Sequence, residues 1–216
     1  MLTFRVLSAL LRYPAPELRA ELTEAVRILR AEAMLPDDHL QAVCAFVAEL
    51  ERTPQLDAES AYIDAFERGR SASLHVFEHI HGDSRARGEA MHKLLLRYRA
   101  HGLEMETREL PDYLPLFLEF LSTRPLAEAR RHLAEIADIA ALIGRRLRAR
   151  GAPHAPLLEA IAALAPVNTG TVEQISAGDR DDTPAALDAA WEEAPVTFND
   201  DDLSASQRSR EGARHN

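Results

Sequence analysis

Apolar side chains recur in this chain with the period of an α-helix almost from end to end. Met91, Leu94, Leu95 and Tyr98, for example, occupy positions i, i+3, i+4 and i+7, which places them on one helical face. No segment shows the two-residue alternation, bounded by turn residues, that is typical of a strand. The sequence therefore predicts an all-α protein, a compact multi-helix bundle with no sheet.

Prolines mark where several of these helices should begin. One helix is expected to open at Pro16 and to continue to Ala33, because a single apolar stripe runs through it. The longest helix is expected from Pro125 to Arg150, with acidic residues in its first turn and arginines in its last. These elements should form one domain over residues 1–198. Within it, residues 166–183 read as a linker before a short helix, and residues 199–216 read as a polar, disordered tail.

A further helix is expected to open at Pro54. Its apolar positions predict that Leu56, Ile63 and Phe66 face inward and that Tyr62 lies near the boundary of the buried face. The helix should show its acidic residues to solvent or to a partner.

Composition limits the classes of partner. The 216 residues are 46% hydrophobic, enough for a substantial core, and carry a formal net charge of −10. A negative chain is poorly suited to nucleic acid, whose binding depends on clustered Lys and Arg, and better suited to a cationic partner. The single cysteine, Cys44, predicts no internal disulfide. Without a signal-like or membrane-spanning apolar run, the expected location is the cytoplasm.

One short pattern points to metal chemistry. His75, Glu78 and His79 occur in the order H-x-x-E-H, which is found in a class of zinc proteases. Helical angles place these three side chains on a polar face opposite Phe77 and Ile80. A catalytic zinc site needs a third protein ligand, and the sequence designates none. The side chains that could supply it are His81, His92, Glu109 and Asp112. A zinc-dependent hydrolase is therefore kept as the alternative to a protein without catalytic or metal-binding residues.

The sequence contains no Gly-rich phosphate loop, nucleophile elbow or C-x-x-C motif. Glu109 and Asp112 could act as an acid and a base, but Asp112 is better explained as the N-cap of the helix that follows it.

Three separated segments give the chain a family resemblance. "SLHVFEHIHGDSRARGEAM", "ELPDYLPLFLEFL" and "DDTPAALDAAWEE" resemble, in this order, the nitrate reductase molybdenum cofactor assembly chaperones, a NarJ-type branch of the TorD-like redox enzyme maturation proteins. The likeness runs from about Leu7 to Phe198. It departs from the family pattern at Tyr113, where histidine is common.

The resemblance implies an all-helical, non-catalytic chaperone. Such a protein binds the N-terminal segment of the apo nitrate reductase catalytic (alpha) subunit and keeps it competent for molybdenum cofactor insertion and membrane assembly. It holds no cofactor stably itself, and cofactor delivery proteins are further candidate partners. An all-α adaptor for another partner is the remaining alternative.

Guided by this resemblance, we expect a peptide groove near the helix that opens at Pro54, the histidine-rich helix and the link before Asp112. Packing residues should be Tyr62, Phe66, Phe77, His79 and Tyr113. Carboxylates that attract the cations of the peptide should be Asp64, Glu67 and Glu109. Glu78 and Asp112 complete the expected site, with Glu78 and His79 free to meet the client and Phe77 and Ile80 holding their helix to the core.

Overall fold

The computed structural model describes residues 1–82, 84–105 and 109–166. These residues form eleven α-helices and one short 3₁₀ turn, Arg70–Ala72, so the prediction of an all-α fold is confirmed. The helices are α1 Leu2–Leu10, α2 Pro16–Ala20, α3 Leu22–Glu32, α4 Asp37–Arg52, α5 Gln55–Phe66, α6 Val76–His81, α7 Arg85–Ala100, α8 Leu114–Ser122, α9 Leu126–Ala134, α10 Ala137–Ala149 and α11 Ala155–Ala163. The predicted linker beyond Pro166, the short helix after it and the tail lie outside the described residues.

Helix α1 packs against α8, α3 and α11. Its Phe4 and Leu7 are fully buried, as are Leu114 and Leu118 of α8. Helices α10 and α11 pack on each other, and α11 also packs against α4. Burial of these apolar faces is the main force that holds the helices together. In the described part of the chain, no helix has the length and apolar character needed to cross a membrane.

Two predicted helices are each broken in two. The helix opening at Pro16 stops at Ala20 and restarts at Leu22, and the expected helix from Pro125 to Arg150 is divided between α9 and α10. At the second break Ile136 adopts φ −126° and ψ 1°, and its side chain is buried in the core. The apolar period continues across both breaks, so tertiary packing rather than periodicity sets them.

The inward face of α5 also differs from the prediction. Leu56 is 72% exposed, whereas Tyr62 is 5% exposed; the assignment of Leu56 to the core and of Tyr62 to the boundary is wrong. The Tyr62 hydroxyl donates a hydrogen bond of 3.2 Å to the carbonyl oxygen of Leu11. Because this buried polar group has a partner, the whole ring can face inward.

The first turn of α1 is capped by a side chain from another helix. The Glu32 carboxylate, at the end of α3, accepts hydrogen bonds from the amides of Leu2 (2.7 Å) and Thr3 (2.6 Å) and from the Thr3 hydroxyl (2.7 Å). Desolvation alone would raise the pKa of Glu32, but these hydrogen bonds lower it below its usual value. The contact satisfies two otherwise unpaired amides and places negative charge at the positive end of the helix.

Candidate peptide-binding site

An aromatic cluster surrounds Tyr62 of α5. Its ring centroid lies 5.1 Å from that of Phe66 on the same helix and 5.6 Å from that of Tyr13 in the turn after α1. The Tyr62 hydroxyl oxygen lies 3.5 Å from that of Tyr113. Behind these rings, the imidazole of His154 packs on Phe66 with a centroid distance of 5.0 Å. Four parts of the chain that are distant in sequence thus meet in one aromatic cluster.

Backbone pairing fixes Tyr113 in this cluster. The segments around His75 and Tyr113 form an isolated antiparallel bridge. In it the amide of Leu114 donates to the carbonyl of Leu74 (2.8 Å) and the amide of Val76 to the carbonyl of Asp112 (3.0 Å). The rings of His75 and Tyr113 consequently lie side by side, with centroids 5.5 Å apart. Two of the three chain segments that carry the family resemblance therefore meet here.

The buried side chain of Asp112, the residue before Tyr113, contacts helix α7. Its side chain is fully buried, and its Oδ2 lies 3.3 Å from Nη2 of Arg87 on α7. The N-cap of α8 is Tyr113, and no side chain caps that helix, so the N-cap role predicted for Asp112 is wrong. Next to it, the Tyr98 hydroxyl donates to the carbonyl of Pro111 (2.9 Å). Both contacts hold the loop before α8 against α7.

Burial and nearby carboxylates shape the electrostatics of the cluster. Burial raises the pKa of the Tyr62 hydroxyl, and the neighbouring Tyr113, Glu67 and Glu109 raise it further. Burial likewise raises the pKa of Tyr113, where Glu109 and Glu67 also act. Both acidic residues are exposed. Negative charge therefore lies next to the tyrosine rings, in the region where the sequence predicts it.

Asp64, by contrast, is already paired. Its Oδ1 lies 2.7 Å from Nε of Arg68 on the following turn. An exposed pair of this kind contributes little to stability, but it reduces the attraction that Asp64 alone would exert on a cation.

The histidine-rich helix α6 does not present the polar face that its sequence predicts. Glu78 is buried, with Oε1 3.4 Å from Nε of Arg70, while Ile80 is 47% exposed. His79 Nε2 lies 2.8 Å from the carbonyl oxygen of Ser73, a geometry in which the ring donates. The expectation that Glu78 and His79 are free and that Ile80 holds the helix to the core is wrong. The helix is too short for a simple amphipathic pattern, and internal polar contacts decide its orientation.

Phe77 of α6 lies in a different part of the surface. It lines a recess of about 190 Å³ together with Phe117, Lys93 and Ile136. The structure thus gathers Tyr62, Phe66, Tyr113, Glu67 and Glu109, but places Phe77 in a separate recess.

The zinc pattern finds no support in the geometry. His75 precedes α6 as its N-cap, and Glu78 and His79 are engaged as described above. Over the described ranges there is no group of three or more His, Cys, Asp or Glu side chains that could hold a metal ion.

Sequence reasoning missed two members of the cluster. Tyr13 lies in the turn "RYPAP", and His154 precedes α11. Neither belongs to an apolar stripe, so periodicity carries no signal for them; only the packing of α1, α5 and α11 brings them to Tyr62.

Fold and surface together define an all-helical protein whose polar motif residues are bonded internally and whose aromatic cluster has an acidic rim. The family model described as nitrate reductase delta subunit matches residues 47–160. The chain belongs to the nitrate reductase delta subunit family, and the curated relatives that match four fifths or more of it are named as assembly chaperones.

The relatives match over nearly the whole chain. The "Nitrate reductase molybdenum cofactor assembly chaperone NarJ" of Escherichia coli (strain K12) is 41% identical, covering 99% of this chain and 94% of the relative. The "Probable nitrate reductase molybdenum cofactor assembly chaperone NarW" of the same strain is 39% identical, with coverages of 97% and 89%. A Bacillus subtilis (strain 168) protein, named as a probable NarJ chaperone, is 30% identical, with coverages of 81% and 93%.

Proposed function

We propose that this protein is a dedicated chaperone of respiratory nitrate reductase. It binds the N-terminal segment of the apo catalytic subunit in the cytoplasm and keeps that subunit competent for molybdenum cofactor insertion and membrane assembly. The observation that carries this proposal is the 41% identity to an assembly chaperone across 99% of the chain. The molybdenum cofactor is inserted into the catalytic subunit, not held by this protein. The proteins that deliver the cofactor are its further partners during insertion.

The aromatic cluster is the part of the surface best suited to the client peptide. Tyrosine rings offer large contact areas with little loss of conformational entropy on binding, and Tyr113 is fixed by backbone pairing before any peptide arrives. Glu67 and Glu109 surround these rings with negative charge. A basic amphipathic segment would pack its apolar face on the accessible rings of Tyr113 and Tyr13, which the buried Tyr62 and Phe66 support from below, while the carboxylates attract its cations.

Isothermal titration calorimetry tests the proposal. The full chain is titrated with a synthetic peptide copied from the N-terminus of the catalytic subunit. We expect binding at low salt, where opposite charges attract most strongly. The substitution Tyr113→Leu should weaken binding by about tenfold, because a central aromatic contact is lost. Tyr113→His should lose less, since a planar ring is retained.

Leu96→Ala is the matched control. Leu96 is an exposed apolar side chain of α7, outside the aromatic cluster, and its removal should leave the affinity unchanged. The proposal fails if the unmodified chain does not bind the peptide at low salt. If Tyr113→Leu and Leu96→Ala bind as tightly as the unmodified chain, the peptide lies elsewhere on the protein.

A further inference from the structure

Tyr13 presents an open aromatic face at the edge of the cluster. It is 42% exposed, and its ring meets that of Tyr62 edge to face, with an interplanar angle of 78°. The face of such a ring carries partial negative charge and attracts cations within about 6 Å of its centre. Because the Tyr13 ring is held by Tyr62 and is partly exposed, a ligand can contact its face.

Glu59 of α5 is held beside this ring. Gln55, one turn earlier, donates to the carboxylate of Glu59 (2.6 Å) and to the carbonyl oxygen of Pro14 (2.6 Å). Gln55 therefore joins the start of α5 to the turn that carries Tyr13. Glu59 accepts the amide of Gln55 and lies near enough to Tyr13 to raise the pKa of its hydroxyl, and a neutral amide donor leaves the charge of the carboxylate in place.

The charged groups that act on Tyr13 and on Tyr113 differ. Partial burial raises the pKa of Tyr13, and Glu59 and then Glu67 raise it further. At Tyr113 the exposed Arg12 offsets part of the effect of the carboxylates. A cation that approaches the aromatic cluster is therefore attracted beside Tyr13 and Glu59.

We propose that Tyr13 and Glu59, together with Glu67, form a subsite that receives the side chain of one arginine or lysine of the bound peptide. This inference rests on the function proposed above, because it concerns the same peptide. The charged group lies over the Tyr13 ring and meets the carboxylates at its edge. Arginine is favoured, because its planar guanidinium can stack on a ring and bind a carboxylate through two N–H groups at once. The subsite fixes the register of the peptide on the apolar surface.

Paired substitutions in peptide and protein test the subsite. In a series of peptides copied from the N-terminus of the catalytic subunit, each arginine is replaced in turn by citrulline, which keeps the shape and removes the charge, and each lysine by norleucine. We expect one of these replacements to weaken binding by roughly three- to tenfold. Against Glu59→Gln or Tyr13→Leu, the same replacement should have a much smaller effect, because the group that it contacts is gone.

Glu17→Gln is the matched control, since Glu17 is an exposed acid of the neighbouring helix α2. The peptide replacement that weakens binding to the unmodified chain should weaken binding to Glu17→Gln by the same factor. Circular dichroism of each variant shows that the helices are intact.

The inference is overturned if every peptide replacement weakens binding to Glu59→Gln as much as binding to the unmodified chain. It is also overturned if the peptide binds and no replacement weakens its binding. Either result leaves the proposed function standing. Failure of the unmodified peptide to bind at all would instead reject the proposed function, and the subsite with it.

Discussion

At the scale of single residues, His154 is a base placed where it cannot easily take up a proton. It is 4% exposed, its ring packs against Phe46, Tyr62 and Phe66, and its Nδ1 has no hydrogen-bond partner among the described residues. Burial lowers its pKa from 6.5 to about 4. Protonation would place a charge among aromatic rings at a large desolvation cost. The neutral imidazole therefore serves as a fifth ring of the cluster.

We predict that this residue makes the protein acid-sensitive. Below pH 6.5 the unfolded chain binds a proton on His154 that the folded protein does not bind until about pH 4. The free energy of unfolding should therefore fall as the pH decreases through this window, by about 1.4 kcal/mol per pH unit from this group. His154→Phe should remove that part of the slope, as measured by urea unfolding at several pH values. His92→Gln, which alters an exposed histidine, should not; equal slopes for the unmodified chain and His154→Phe would contradict the prediction.

At the scale of helices, side chains from other elements decide several ends and orientations. Glu32 of α3 caps α1, and Arg97 of α7 contacts Glu135 (2.9 Å) at the break between α9 and α10. Where the local sequence supplies no cap of its own, a neighbouring helix completes the terminus. The fold thus depends on polar contacts between helices as well as on apolar packing.

We predict that Glu32→Gln weakens the anchoring of α1. The substitution removes the negative charge and turns one acceptor oxygen into an amide donor facing a backbone amide, so the free energy of unfolding should fall by about 1 kcal/mol. The stabilisation from Glu32 is present above the unfolded pKa of a glutamate and is lost as the pH falls through its lowered folded pKa. Thermal and urea unfolding at neutral pH measure the effect. Glu119→Gln, at an exposed position of α8, is the control, and an equal loss in both variants would reject a specific capping role.

The same principle explains how far the sequence could predict this structure. The apolar periods predicted the helical class, whereas Tyr62 and Tyr113 were expected together in the groove on the strength of the family resemblance. The apolar periods could not predict the breaks after Ala20 and Ala134, because the apolar pattern is continuous there. Nor could they predict that Glu78 binds Arg70, since contacts between distant polar residues leave no periodic trace.

At the scale of the whole molecule, negative charge is unevenly distributed along the chain. Residues 167–216 contain 11 Asp and Glu against 4 Arg, while residues 1–166 contain 24 Asp and Glu against 21 Lys and Arg. The overall charge of −10 therefore overstates how acidic the helical part is. For the basic client peptide proposed above, most of the net charge that would attract it at long range therefore lies in residues 167–216, outside the proposed contact residues.

We predict that a chain ending at Pro166 binds the basic client peptide more slowly but releases it at an unchanged rate. Most of the net charge that accelerates encounter would be lost, whereas the aromatic cluster would remain. Stopped-flow measurement of association should show the difference at low salt, and the two chains should converge at high salt, where charges are screened. Equal association rates of the two chains at low salt would contradict the prediction that residues 167–216 accelerate association.

The backbone bridge between His75 and Tyr113 also has a consequence for how the family can vary. The amide of Leu114 pairs with Leu74 and the amide of Val76 with Asp112, so a shift of either segment along the other would break both hydrogen bonds and move Tyr113. The two motifs joined by the bridge are therefore constrained as a pair, although more than thirty residues separate them in the sequence.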